Sequence, residues 1–281
     1  MVIKPKMVFT IYNNSGGLKK MNINIMTIVY VLFVILYLAF IYYRMIKREI
    51  PKPIGWVMAL VPIAFGMATF DISGFTGIKL YLGNATTQEF VAKLPAVLGS
   101  ILGAFLGAGL PEEIFKGIVL VIAILIFKPK KVYEYCLMGA AVGFGFTIME
   151  ELAYMNTPSL TTVAMRALHL PAHMTLNMLM GELFGRAKYN RLNGKGLQVS
   201  KYILAFLSPA LLHTTFDAFA SNNRLILNSV ANDQVGVGFW IGSALMVITF
   251  VGFAVFIYAM IIRLKKKTAE FCAMETISEK Q

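Results

Sequence analysis

Pro111-Glu112-Glu113-Ile114-Phe115-Lys116 heads an apolar run that continues from Gly117 to Phe127. The run reads as the body of a membrane-spanning helix, and the reading of the whole chain turns on the three charges at its head. An ionisable side chain near the bilayer centre costs about 2.5–3.5 kcal/mol on insertion scales, so such residues are rare in spans and usually functional. Helical spacing ties the three together. Glu112 and Lys116 stand at i,i+4, and Glu113 and Lys116 at i,i+3, so the lysine can neutralise either carboxylate. The plain alternative is a structural ion pair at a helix start, where the dipole favours carboxylates.

Composition places this span among others. Of 281 residues, 58% are hydrophobic and only 14% charged, against about 25% charged in a soluble domain. That deficit, with several long apolar runs, points to an integral membrane protein. The formal net charge of +12 is not a nucleic-acid signature, because the basic residues fall in short clusters between apolar runs, as cytoplasmic loops do. Cys136 and Cys272 make neither a disulfide framework nor a zinc ligand set. The motifs CxxC, HExxH, GxGxxG and the P-loop are absent, as are the GxSG and GxGD motifs of serine and aspartyl intramembrane proteases.

Working outward, the expected class is an all-α, polytopic membrane helix bundle. It has about seven spans and one re-entrant or interfacial helix, with eight spans as the alternative count. The first span is about Asn24 to Tyr43, followed by Arg44, Lys47 and Arg48, and the second about Ile54 to Phe70. Leu94 to Phe127 as one straight helix would measure about 51 Å, too long for a hydrocarbon core of about 30 Å. Pro111 offers a break, so Ala96 to Leu110 reads as the Gly-rich re-entrant helix and Pro111 to Phe127 as the third span. Further spans are expected at about Tyr133 to Met155, Pro171 to Leu183, Tyr202 to Ala220 and Val235 to Ile262, with an outer loop at Asn156 to Thr162. Every basic cluster between spans then lies on one side, which the positive-inside rule makes cytoplasmic. The expected layout is an irregular extension over residues 1–20, a membrane domain over 21–264 and a poorly ordered cytoplasmic tail over 265–281.

This topology predicts a depth. Glu112 and Glu113 begin an inward span, Glu150 ends an outward one, His173 begins an inward one, and His213 and Asp217 lie in the outer half of an outward one. Two histidines, at least three carboxylates and a lysine therefore reach one level, in the outer-leaflet half. His213 and Asp217 share a helical face, as do His173 and Asn177. Gly139, Gly143 and Gly145, with Gly181 and Gly185, permit close helix approach. Glu151 is expected to face the outer interface and His169 to be a supporting loop residue. Arg166 is either an interfacial anchor or a carboxylate partner.

On these residues the chain resembles the PrsW family of membrane proteases, distant relatives of the CAAX prenyl proteases and bacteriocin-processing membrane proteases. The matching pieces are Glu112-Glu113-x-x-Lys116, Gly143-x-x-Phe146-x-x-x-Glu150, Arg166 followed by Pro171-Ala172-His173, Gly181-x-x-x-Gly185 and His213-x-x-x-Asp217. They occur in the family's order over roughly residues 95–220. The CAAX branch carries histidine where this chain has Glu150 and asparagine where it has Asp217, so the chemistry of that branch does not transfer directly. The resemblance implies a membrane-proximal endopeptidase of the cell membrane. Its implied partner is a single-pass membrane protein, in the better-studied members an anti-sigma factor cut first on its extracytoplasmic side.

Hydrolysis of a peptide needs a base for water, a group that holds the oxyanion and an acid for the amine. Glu112 or Glu113 is the expected base, with Glu150 sharing the water and Lys116 keeping one member of the pair ionised. His213, oriented by Asp217, and His173 are the expected polarising groups, with Arg166 and Asn177 in support. A metal-assisted version uses zinc on His173, His213 and Glu150 with a glutamate as base. A different class stays open at this point, since buried Glu, His and Asp also build proton relays in transporters. A non-catalytic binding protein of the same fold is the third reading.

Overall fold

The computed structural model describes residues 7–12, 18–23, 25–51, 53–75, 85–154, 166–221, 223–232 and 235–276. The helices are α1 (Ile25–Ile46), α2 (Trp56–Phe75), α3 (Ala85–Ala92), α4 (Ala96–Ala104), α5 (Leu110–Phe127), α6 (Val132–Tyr154), α7 (Ala172–Leu192), α8 (Val199–Phe216), α9 (Arg224–Ala231) and α10 (Val237–Ala273). Two π-helical turns, Phe105–Gly109 and Asp217–Ser221, interrupt this series. Among the described residues, four helical stretches are long and apolar enough to cross a membrane: Ile28–Ile46, Val132–Ala153, Val199–Ala231 and Val237–Ala273. The expected loop at Asn156 to Thr162 lies outside the described residues.

α6 is the central helix. Its apolar window is 78% buried, against 28% for α1 and 17% for α10. The reason is in its sequence, where Gly139, Ala140, Ala141, Gly143 and Gly145 remove the side chains that would hold neighbours away. A Cβ added at Gly139 or Gly143 would collide with the backbone carbonyls of Asn177 and His173 on α7. One at Gly181 would collide with Tyr135 of α6, and one at Gly145 with Ile63 of α2. The glycines thus let α6 touch α2 on one side and α7 on the other. Tyr133, Leu137, Phe144, Val34, Leu38 and Met174 fill the main core beside these contacts.

Three expectations are corrected. The N-terminal extension is not irregular throughout, because Met7–Tyr12 and Leu18–Ile23 pair as antiparallel strands β1 and β2 with Met7 opposite Ile23. Val8, Thr10 and Ile11 are β-branched and Phe9 is aromatic, all residues with strand propensity. No break occurs at Pro111: helical angles continue from α4 through Phe105–Gly109 into α5. The widened π turn lies just where Pro111 would otherwise clash with the preceding turn of an α-helix. The tail boundary near residue 264 falls inside α10, which runs on to Ala273. Arg263 and Arg186 pair there with buried Glu182 of α7. Beyond the helix, Thr276 N donates to Lys130 O at 2.8 Å and Val132 N to Met274 O at 3.0 Å.

Candidate metal centre and active site

α5, α6, α7 and α8 bring the singled-out polar residues to one place. α5 supplies Glu112, Glu113 and Lys116, and α6 supplies Glu150 and Glu151. α7 supplies His173 and Asn177, and α8 supplies His213 with Asp217 in the π turn that follows. Both π turns adjoin this cluster, one leading into Glu112 and the other carrying Asp217, in keeping with the enrichment of such turns at functional sites.

Glu113 is the hub, with 1% of its surface exposed. Its Oε1 lies 3.1 Å from His213 Nδ1 and 3.9 Å from His173 Nδ1, and it accepts a hydrogen bond from Lys116 Nζ at 2.8 Å. Asn177 Nδ2 reaches Glu113 Oε2 at 3.4 Å and the His173 carbonyl at 3.1 Å. Each histidine is backed by a carboxylate on its far nitrogen. His173 Nε2 is 2.9 Å from Glu150 Oε2, and His213 Nε2 is 3.4 Å from Asp217 Oδ2. Such carboxylate backing fixes tautomer and ring orientation and raises basicity in metal-binding histidines.

One ligand atom from each of Glu113, His173 and His213 lies within 4.8 Å of the others, and all three residues are buried. Two imidazoles and a carboxylate are a sound donor set for zinc or a similar ion. The structure itself tests the fit: Lys116 Nζ sits 3.0 Å from His173 Nδ1 and 2.8 Å from Glu113 Oε1, so a cation already rests against two of the three donors. The amide oxygen Asn177 Oδ1, buried beside them, has no hydrogen-bond partner among the described residues. Lys116 is itself fully buried and lies 3.6 Å from the centroid of the Phe146 ring.

A cavity of about 480 Å³ opens on this cluster. Glu112, Glu150, His173, His213 and Asp217 line its polar side, and Phe216, Phe250 and Phe253 line an aromatic wall. A second cavity, about 450 Å³, runs along Gly99, Gly103 and Gly107 and shares Ala108 and Glu112 with the first. Glu112 therefore borders both, while Glu113 borders neither.

Several expectations change against this geometry. The carboxylate grouped with the two histidines is Glu113, not Glu150, which stands behind His173. Spacing along α6 could not distinguish a donor from its support. Glu151 does not face the interface. It is 3% exposed and holds Arg166 through Nε at 2.9 Å and Nη2 at 2.6 Å. Arg166 is thus a carboxylate partner, 3.7 Å also from Glu150. Tyr30 of α1, unmarked in the sequence, donates to Glu151 Oε2 at 2.9 Å. His169 lines the cavity and its Nε2 lies 3.0 Å from the Phe250 carbonyl oxygen. Phe146, named in the sequence only as part of the family-like motif, packs edge-on to His173 with ring centroids 4.8 Å apart.

The sequence profile of a known family, described as PrsW family intramembrane metalloprotease, matches residues 52–261, most of the chain. No curated protein and no solved structure matches it.

Proposed function

Because the chain belongs to the PrsW family of intramembrane metalloproteases, we propose that this membrane peptidase cuts a membrane-protein substrate at the cluster around Glu113, using water activated by Glu112. The observation that carries the reading is the convergence of two carboxylate-backed histidines on one buried glutamate.

Glu113, His173 and His213 would hold the metal, which when bound supplies a Lewis acid for the peptide carbonyl and lowers the pKa of water. The remaining steps belong to this chain's residues. Glu112 lines both cavities and is the base that takes the proton from the attacking water, then returns it to the leaving amine. Lys116, between the two glutamates, offsets their charge. Glu150 and Asp217 orient the histidines, Asn177 steadies Glu113, and Arg166 closes the rim through Glu151.

On the seven-span reading of the sequence, the site lies in the outer-leaflet half and the C-terminus in the cytoplasm. The support is that Glu112 and His173 start α5 and α7, whereas Lys128 and Arg191 stand at their far ends, where the positive-inside rule expects cytoplasm. A site at that depth suits the substrate class implied by the resemblance, a single-pass anti-sigma factor cut on its extracytoplasmic side. The test compares membrane-protein fragments in cells carrying wild type or Glu113→Gln. A fragment present only with wild type supports the reading, and identical fragment sets would refute it.

A further inference from the structure

We infer that a groove at the opposite end of α5 and α7 from the site binds an anionic phospholipid. The cavity there measures about 760 Å³. One wall is a single stripe of α5, Val121, Ile124, Leu125 and Lys128, at the i, i+3, i+4, i+7 spacing of one helical face. The other wall is the stripe of α7 that holds Phe184, Lys188 and Arg191. Tyr202 of α8 and Tyr135 of α6 close the space between them.

The charges are arranged along the groove in the order a lipid presents them. The apolar residues lie toward the helix middles, and the cations Lys128, Lys188 and Arg191 lie at the ends. No carboxylate lines the groove among the described residues, and none of the three cations has an ion-pair partner there. This contrasts with Arg186 and Arg263 nearby, both engaged with Glu182. Leu125 is 67% exposed at the open side, which admits an acyl chain from the bilayer. Basic pockets between spans recognise anionic headgroups in this way.

Lys128 closes its helix with an unusual backbone. It ends α5 in the left-handed conformation, φ 49° and ψ 61°, where glycine is the usual residue. The next residue is Pro129, which further disfavours helical angles at the position before it. Glycine would fit this backbone with less strain, whereas the lysine adds a cation to the groove lining.

The test uses the full-length protein, delipidated in detergent and titrated with phosphatidylglycerol or phosphatidylcholine, with bound lipid counted by native mass spectrometry. Phosphatidylglycerol should bind at least tenfold more tightly. Lys128→Gly, which relieves the backbone while removing the charge, should weaken it roughly fivefold, and Lys188→Ala with Arg191→Ala about 25-fold, from about 1 kcal/mol per basic residue. Lys130→Ala, exposed but outside the groove, should leave binding unchanged, and inorganic phosphate should not compete. Equal binding of the two lipids would overturn the assignment. So would an equal effect of Lys130→Ala and Lys128→Gly, or displacement of the lipid by phosphate.

Discussion

Gly143→Ala tests how the active-site geometry is set. The new methyl carbon would stand 2.6 Å from the Met174 nitrogen, 0.4 Å inside the 3.0 Å that such contacts keep, and closer still to the His173 carbonyl oxygen. Backbone atoms cannot swing aside as a flexible side chain can, so α7 must move off α6 by roughly half an ångström or more at His173. Overpacking of this kind costs about 1–3 kcal/mol, which leaves a folded protein. Function is the more sensitive readout, because a displacement approaching 1 Å at a reacting centre costs up to about 100-fold. His173 would draw away from Glu113 and Glu150 together. The variant should therefore lose roughly 10- to 100-fold in cleavage rate and in affinity for zinc, measured by metal analysis after equilibration at limiting zinc. Gly252→Ala is the control, since nothing lies within 4 Å of a Cβ there. Full metal content and full cleavage in Gly143→Ala would show that the α6–α7 contact does not position His173.

Other expectations follow from the same geometry. His213→Ala and Glu113→Gln should each abolish cleavage and metal retention while the protein still inserts, and a chelator should silence wild type until zinc is restored; activity that survives both the chelator and either substitution would exclude the metal set proposed here. Lys116→Met removes a fully buried cation from Glu113 and should destabilise by about 3–5 kcal/mol, measured by unfolding in detergent. Adding Glu113→Gln should recover part of that loss, and strictly additive effects would argue against a coupled pair. Glu49, between α1 and α2, is held up at about 7 by burial and by the Glu134 carboxylate, which outweigh Lys131 3.3 Å away. Its stabilising contribution is complete below about pH 4.5 and is lost as pH rises through 7. The stability of wild type relative to Glu49→Gln should fall across that window, and a constant difference from pH 4 to 8 would contradict the shift.

What the sequence determined by itself was the solvent and the inventory. Apolar runs too long for a soluble core require a bilayer, and charges too costly for hydrocarbon require one another, so Glu112, Glu113, Lys116, Glu150, His173, His213 and Asp217 were legible as one constellation. The glycines of α6 and α7 were legible as a close contact for the same reason, since only small residues let helices meet. What only the tertiary structure decided was which atom faces which. Periodicity gives a residue's face on its own helix but not the rotation of that helix against its neighbours. That rotation placed Glu113 rather than Glu150 between the histidines, turned Glu151 inward to Arg166 and brought Tyr30 from a distant span. It also let the chain pass Pro111 through a widened turn, because tertiary packing can hold a helix through a residue whose local preference is to end it.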